Sequence, residues 1–239
     1  MEKLKMNKKR IKIISFIPAK KNSQDLKNKN LKKLNNLSLV ELAILGAKKS
    51  KLINEIHLSS DSEKILKIGT KLNIDVIKRQ KNLSTYSTSA NSVILDFIKN
   101  KIQNNQREDC IIVYLQPTSP FRNNIHIDQA IKHLIKKKLR SLISVTENKN
   151  FFKSLYKKKT TLNPFFNDNF VTKNRQNLKK VYSPNGAIYI FYSSDFIKNK
   201  KLSFTKTGYY IMNRIDSIDI DDKEDYKLAN YLSKKYLKY

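Results

Sequence analysis

Apolar residues along this chain follow two periods in turn, one typical of strands and one typical of helices. Short runs rich in β-branched and aromatic residues predict strands at 11–17, 55–59, 75–78, 111–115 and 141–145. Between these runs, apolar positions recur about every 3.6 residues and predict helices from Ser38, from Ser62 to about Leu72, along 93–102 and along 125–138. This alternation predicts an α/β fold with a mostly parallel sheet and helices on both faces.

The alternation stops between 147 and 185, a stretch rich in lysine and asparagine that also contains five phenylalanines. It is too aromatic for a plain linker, so we expect an excursion that packs on something else, such as another subunit. Strand character returns at 186–192 and 207–220, and a closing helix is predicted from Lys223 to about Leu237. We therefore expect one domain over 11–239 that includes the excursion, preceded by a basic N-terminal extension at 1–10.

The net charge of +29, from 49 Lys+Arg against 20 Asp+Glu, suggests nucleic acid or an anionic membrane as a partner. Only seven of the basic residues are arginines, however, and the lysines are dispersed. Proteins that read base edges or clamp phosphates depend on the arginine fork. No helix-turn-helix, zinc-finger or RNA-binding signature is present. We interpret the charge as solvated background and expect no nucleic-acid partner, with a basic nucleic-acid-binding protein as the alternative.

Scarce residue types exclude several classes of site. Four glycines form neither a G-x-G-x-x-G nor a P-loop motif. The single cysteine, Cys110, excludes an internal disulfide and a cysteine-rich zinc site, and its apolar surroundings predict burial. No apolar run approaches 18 residues, so we expect no membrane span. The short apolar run after Arg10 is better explained as a buried strand than as a signal peptide, and we expect a cytoplasmic protein.

Polar loops follow the first and fourth predicted strands, where ligands bind in open α/β sheets. The loop at 18–30 carries lysines, amides and hydroxyls that could wrap a polyphosphate without glycine, or it could be a solvated basic loop. The loop at 115–122 is stiffened by two prolines and offers donors that could form a ligand platform or merely a good turn. Those donors are Gln116, Thr118, Ser119 and Arg122.

An acidic segment near the C-terminus is the candidate metal site. On a strand, Asp219 and Asp221 would point to one face, about 7 Å apart, while Ile218 and Ile220 face the core. Two such carboxylates could bind Mg²⁺ together with substrate phosphates. Alternatively, Asp221 could cap the last helix with Glu224, which leaves Asp219 unexplained. We favour the metal, because packing acids together is costly without a cation.

Four motifs occur in the order in which acylneuraminate cytidylyltransferases (CMP-sialic acid synthetases) carry them, and the chain resembles that family from about residue 11 onward. They are Ile17-Pro-Ala-Lys-Lys-Asn-Ser with Lys29-Asn30, Leu115-Gln-Pro-Thr-Ser-Pro-Phe-Arg122, Pro184-Asn-Gly-Ala-Ile-Tyr-Ile190 and Ser217-Ile-Asp-Ile-Asp221. The related 3-deoxy-manno-octulosonate enzymes are a poorer match. The resemblance implies a three-layer, Rossmann-like nucleotidyltransferase fold in which the excursion at 147–185 protrudes and forms a homodimer.

The resemblance also implies a reaction and its residues. A nine-carbon 2-keto sugar acid, of the sialic, legionaminic or pseudaminic type, would react with CTP to give the CMP-sugar and pyrophosphate. The triphosphate would be held by Lys20, Asn22, Ser23 and Lys29. The nucleoside would contact Asn30, Arg79 and Ser89. The sugar acid would contact Gln116, Arg175, Asn185 and Tyr189. The Mg²⁺ ligands would be Asp219 and Asp221, and the catalytic residues Lys20, Lys29 and Asp219.

Several positions depart from the family pattern. Lys20 stands where arginine is usual, and Gln24 where a basic residue is usual. Tyr86 replaces an expected aspartate and Ser183 a common arginine. The last two changes lie near the base or the sugar, so an acceptor other than N-acetylneuraminate is one expectation. A nucleotide-binding but inactive relative is another.

Overall fold

The computed structural model describes residues 11–21, 25–103, 109–167, 171–202 and 207–237 of the chain. Its strands are β1 (Ile13–Pro18), β2 (Lys33–Leu34), β3 (Leu37–Ser38), β4 (Glu55–Ser60), β5 (Asp75–Lys78), β6 (Ile111–Tyr114), β7 (Ser141–Glu147), β8 (Leu155–Lys158), β9 (Thr161–Pro164), β10 (Tyr182–Tyr192) and β11 (Gly208–Ile211). Its α-helices are α1 (Leu39–Lys48), α2 (Glu63–Lys71), α3 (Ala90–Ile98), α4 (Asn124–Lys136), α5 (Ser193–Asn199) and α6 (Lys223–Tyr236).

A seven-stranded sheet in the order β11-β7-β10-β6-β1-β4-β5 forms the middle layer. Strand β10 runs antiparallel to both of its neighbours, and the other pairs are parallel. This arrangement confirms the mostly parallel α/β sheet expected from the sequence. The carboxyl ends of β1, β4 and β6 therefore meet at one edge, which the amino end of β10 also reaches.

Alternation along β1 explains why helices cover both faces of this sheet. Ile13 and Ile17 belong to the core that packs under α1 and α4. Ile14 and Phe16 point to the other face, where Phe16 stacks on Phe97 of α3 at 4.3 Å between ring centroids. Both faces of the strand are buried, as the continuous apolar run predicts for a central parallel strand.

Local signals in the sequence fix several elements correctly. The capping box of α1 is confirmed, because the Ser38 hydroxyl accepts from the Glu41 N–H and Glu41 accepts from the Ser38 N–H. The strand at 75–78 is confirmed, as is the burial of Cys110. No helix within the described ranges is long and apolar enough to cross a bilayer.

The C-terminal predictions need correction. Strand character at 207–220 is limited to β11, because the chain leaves β7 after Ile211 and turns. Helix α6 is capped by Asp222 with Asp225, so the alternative in which Asp221 caps it with Glu224 is wrong. Leu228, one of the apolar residues of this helix, is 51% exposed. Strand β10 also begins four residues earlier than its prediction at 186, and the 147–185 stretch contains the β8–β9 hairpin.

Candidate active site

A cleft of about 360 Å³ opens at the edge where β1, β4 and β6 end. Its walls are the loop after β1, the loop after β6 and the segment 79–93. The structure brings six of the residues singled out from the sequence to this cleft, namely Lys20, Lys29, Asn30, Arg79, Gln116 and Thr118. The fold thus joins loops that are about a hundred residues apart in the chain.

Two lysines line the cleft on the loop after β1. The Lys29 ammonium lies 3.2 Å from Asp221 Oδ1 and its side chain is 13% exposed. The Lys20 ammonium lies 5.3 Å from the ring centroid of Tyr86, a cation–π contact across the cleft mouth. Asn30 is buried and donates its amide to the Lys20 carbonyl at 2.8 Å, which orders this loop. Asn22, Ser23 and Gln24 lie outside the described residues.

Arg79 forms the opposite wall and is almost fully buried. Its Nε donates to the Ser59 hydroxyl at 3.2 Å and an Nη to the Ser59 carbonyl at 2.9 Å, so the end of β4 fixes the guanidinium. Burial lowers the pKa of Arg79, against the opposing effect of acids such as Asp61. Ser89 is the N-cap of α3, accepting from the Ser92 N–H at 3.1 Å.

The acidic pair Asp219 and Asp221 lies in the irregular segment 213–222, not on a strand as predicted. The physical reason is Asn213, whose side-chain oxygen accepts from the N–H groups of Ile215 and Asp216 and turns the chain. Ile220 is fully buried, and its N–H donates to the Thr118 carbonyl at 2.9 Å. The prediction of a core-facing Ile220 is therefore confirmed without the strand.

Asp219 has an unusual environment for a carboxylate. Its Oδ1 is buried and has no hydrogen-bond partner within the described part of the chain. Burial raises the pKa of Asp219, and the nearby Asp221 raises it further, while a hydrogen bond from Thr118 and the charge of Lys29 lower it. Asp221 is mostly exposed beside Lys29. An orphaned oxygen on a partly buried acid next to a second acid fits a bound cation.

The donor set also limits which cation fits. Among the described residues, no group of three or more His, Cys, Asp and Glu side chains could hold a metal ion. Two carboxylates are thus what the protein offers here. That number suits Mg²⁺, which keeps several waters and takes further ligands from substrate phosphates.

A bulge in β10 brings Asn185, Gly186 and Tyr189 to the acidic segment. The Asn185 amide oxygen accepts from the Ser144 hydroxyl and its nitrogen donates to the Ser217 hydroxyl at 2.8 Å. Through these two hydrogen bonds, the buried Asn185 ties the sheet to the segment that carries Asp219. The Tyr189 ring packs edge-on against Tyr114, and burial raises the pKa of Tyr189, as does the charge of Asp219.

Arg122 was expected to offer donors to a ligand, but the structure buries it under the loop. It is 1% exposed, and its Nη1 donates to the carbonyls of Gln116 and Ala187 at 2.8 and 3.1 Å. Arg122 therefore holds the platform in shape. Arg175 begins a short 3-10 helix, Arg175–Asn177, and its side chain is outside the described part of the structure.

Sequence reasoning missed several residues that line the cleft, among them Asp25, Thr85, Thr88 and Tyr114. Tyr114 looked like a core residue because it lies in a continuous apolar run. It is nevertheless the last residue of β6, at the edge where ligands bind, and that position was the available signal. Burial raises the pKa of Tyr114 to about 12, although a hydrogen bond with Gln116 lowers it.

The sheet order and the cleft beyond the strand ends define an α/β nucleotidyltransferase fold. A solved CMP:2-keto-3-deoxy-manno-octonic acid synthetase complexed with CTP shares this fold, with a TM-score of 0.67 at 11% identity over 94% of this chain and 99% of that chain. Residues 14–238 match the family model described as Cytidylyltransferase, so the chain belongs to the cytidylyltransferase family. The family predicted from the four motifs is thereby confirmed.

Curated relatives agree with this assignment. The N-acylneuraminate cytidylyltransferase of Escherichia coli O18:K1:H7 (strain RS218 / NMEC) is 31% identical over 95% of this chain and 53% of its own length. This chain therefore spans about half of that enzyme. The post-translational flagellin modification protein B of Campylobacter coli is 29% identical over 93% of this chain and 95% of its own length. A CMP-N,N'-diacetyllegionaminic acid synthase of Campylobacter jejuni is 34% identical over 35% of this chain and 36% of its own length.

Proposed function

We propose that this chain transfers CMP from CTP to a nine-carbon 2-keto sugar acid and releases pyrophosphate. The observation that carries the proposal is Asp219, a partly buried carboxylate with an unpaired oxygen that lies beside Asp221 and is hydrogen-bonded to Thr118 of the cleft wall. The names of the E. coli and C. jejuni relatives support a nonulosonic acid as the acceptor. Family membership argues against the nucleic-acid-binding alternative.

The proposal includes Mg²⁺ held by Asp219 and Asp221. When bound, the ion would neutralise phosphate charge and favour the ionised form of the attacking hydroxyl. Lys29, paired with Asp221, contributes a fixed positive charge on the same side of the cleft. Lys20, released from the Tyr86 ring, would contribute another to the triphosphate, together with Asn22 and Ser23. These charges act mainly by positioning the triphosphate and offsetting its charge.

For the nucleoside, the proposal relies on the wall opposite the lysines. Arg79 is fixed by Ser59 through two of its five N–H groups, which leaves donors to face a base. Thr85 and Thr88 line the same wall and add hydroxyl groups. Asn30 orders the loop beneath the nucleotide, and Ser89 acts through the start of α3.

For the sugar acid, we assign Gln116, which lines the cleft, and Tyr189, whose ring packs against the cleft residue Tyr114. Because both ends of the Asn185 amide are engaged, we assign Asn185 a positioning role. Arg175 would meet the sugar carboxylate. The homodimer would form through the excursion, where Leu162 and Phe165 are 64% and 66% exposed.

Pyrophosphate release tests the proposal. The protein is incubated with CTP, Mg²⁺ and a panel of N-acetylneuraminic, legionaminic, pseudaminic and 3-deoxy-manno-octulosonic acids. We expect release with one of the nine-carbon acids and a loss of about a hundredfold or more in Asp219→Asn. Glu224→Gln is the matched control, since it removes an equal charge from an exposed position on α6.

Two results would contradict the proposal. One is no pyrophosphate release with any acid in the panel. The other is equal turnover by Asp219→Asn and the wild type. A rise in melting temperature with CTP but without turnover would instead identify a nucleotide-binding, inactive relative.

A further inference from the structure

The segment 213–222 has no regular secondary structure, yet it carries Asp219, which lies beside the cleft residues Thr118 and Gln116. Contacts from three parts of the fold fix the segment. The Thr118 carbonyl accepts from the Ile220 N–H at 2.9 Å. The Asn185 amide donates to the Ser217 hydroxyl at 2.8 Å. The remaining contact comes from α4, where His126 Nε2 lies 3.2 Å from Asp216 Oδ2.

His126 is the third residue of α4, and its imidazole uses both nitrogens. Nδ1 accepts from the Asn123 N–H at 3.3 Å, as the side chain at this position does in a capping box. The proton must then reside on Nε2, which faces the Asp216 carboxylate. One neutral tautomer thus satisfies both contacts. Burial lowers the pKa of His126, and Arg122 lowers it too while Asp216 raises it, which agrees with a neutral ring.

Asp216 connects His126 to the turn that Asn213 forms at the start of the segment 213–222. Its Oδ2 also accepts from the Asn213 amide, and Asn213 in turn accepts from the Asp216 N–H. The Asp216 side chain is 22% exposed and the His126 side chain 15% exposed. The pair is therefore largely shielded from water, and loss of the imidazole donor would leave a half-satisfied acid three residues before Asp219.

We propose that His126 is a positioning residue whose Nε2–H bond to Asp216 fixes the segment 213–222 and thereby holds Asp219 beside the cleft residues Thr118 and Gln116. The structural half of this proposal, that His126 fixes the segment, depends only on the contacts. The catalytic half, that the fixed segment supports turnover, rests on the proposed function. In the alternative, His126 caps α4 and has no effect on the segment.

Two substitutions separate these roles. In His126→Gln, the amide oxygen can accept from Asn123 and the amide nitrogen can donate to Asp216, so both contacts are kept. In His126→Glu, the cap of α4 is kept, because glutamate is a standard capping-box residue and favours a helix N-terminus. The donor to Asp216 is lost, however, and a second carboxylate faces it.

Hydrogen exchange followed by mass spectrometry tests the structural half without reference to activity. In His126→Glu we expect amide exchange over 213–220 to accelerate about ten- to hundredfold, the range for a lost hydrogen bond to a charged group. Exchange in α4 and the melting temperature should stay near wild type. His126→Gln should match the wild type over 213–220. Unchanged exchange in His126→Glu, or equal acceleration in both variants, would overturn the inference.

Steady-state kinetics tests the catalytic half. We expect kcat of His126→Glu to fall at least about tenfold, with the KM for CTP changed much less and kcat restored in His126→Gln. A kcat of His126→Glu equal to wild type would overturn this half. If the wild type releases no pyrophosphate, the proposed function fails while the exchange experiment still decides the structural half.

Asp216→Ala guards against a misfolded His126→Glu protein. It removes the same contact from the other side, together with the bond from the Asn213 amide, and leaves the α4 capping box intact. We expect a local acceleration of exchange over 213–220 at least as large as in His126→Glu. Wild-type exchange in Asp216→Ala would contradict the inference.

Discussion

Gly186 offers the sharpest test of how tightly the acidic segment is packed. It lies in the β10 bulge with a φ of +75°, a backbone conformation that side chains with a Cβ rarely adopt. A Cβ at this position would lie 2.7 Å from Asp219 Oδ2 and 2.9 Å from Gln116 Oε1. The absence of a side chain at Gly186 is therefore what lets the side chains of Asp219 and Gln116 come this close to the backbone of β10.

The expected effect of Gly186→Ala follows from these distances. The left-handed backbone alone costs about 1–2 kcal/mol for a residue with a Cβ. Asp219 must also retreat by roughly 0.7 Å to regain an ordinary contact, and misplacement of about 1 Å near reacting groups can lower a rate about a hundredfold. We expect the free energy of unfolding to fall by about 1–3 kcal/mol and kcat to fall about ten- to hundredfold.

Urea denaturation and pyrophosphate release measure the two effects. Gly46→Ala is the matched control. Gly46 lies inside α1, and a Cβ there would make an ordinary contact of 3.5 Å with the Arg122 carbonyl. In a helix interior this change should raise stability by about 0.5–1 kcal/mol and leave kcat unchanged. If Gly186→Ala retained wild-type stability and kcat, the reasoning about Asp219 and Gln116 would be refuted.

Other contacts lead to further predictions. Ser38→Ala should lower the free energy of unfolding by about 1 kcal/mol in urea denaturation, because it removes the α1 cap. Burial raises the pKa of Asp109, but hydrogen bonds from Ser193 and Ser194 and the charge of Arg140 together hold it below 3.8. The ionised Asp109 carboxylate therefore stabilises the folded protein above pH 3.8, and this stabilisation is lost as the pH falls through the lower pKa that Asp109 has in the folded state. On acidification, the urea midpoint of Asp109→Asn should fall less than that of the wild type. For the proposed homodimer, Phe165→Asp should shift sedimentation from dimer to monomer, whereas Leu228→Asp, at an exposed site on α6, should not; a wild-type protein that sediments as a monomer would contradict the proposed dimer.

The fold was predictable where the signal is local or strongly periodic. The Ser38 capping box needs only four consecutive residues, and the central strands need only an apolar run, so both were predicted from the sequence. The last helix shows the limit. Asp221 with Glu224 and Asp222 with Asp225 have the same spacing, and both pairs look like caps. The structure selects Asp222 and Asp225, because Asp225 accepts from the N–H groups of both Asp221 and Asp222.

Long-range contacts account for what the sequence could not predict at the site. The alternation of Ile218 and Ile220 resembles a strand, yet Ile220 packs in a cluster with α6 residues rather than in the sheet. Arg122 looked like a ligand donor, but one of the carbonyls that accept from it belongs to Ala187, 65 residues away. Nothing within the loop at 115–122 could reveal that partner. Lys20, Arg79 and Gln116 reached the cleft as expected, because each lies within two residues of a strand end, where topology decides the position.

The high net charge does not relieve the acidic pair. Of the salt bridges within the described residues, the one that reaches it joins Lys29 to Asp221, the more exposed of the two acids. Asp219 is partly buried, and its Oδ1 has no hydrogen-bond partner among the described residues. Salt screens the charge of the solvated lysines elsewhere over about 10 Å. A charge of +29 therefore coexists with a buried carboxylate oxygen that has no hydrogen-bond partner among the described residues. For the proposed function, the identity of Asp219 and Asp221, together with that of the few basic residues at the cleft such as Lys20 and Lys29, matters more than the dispersed lysines do.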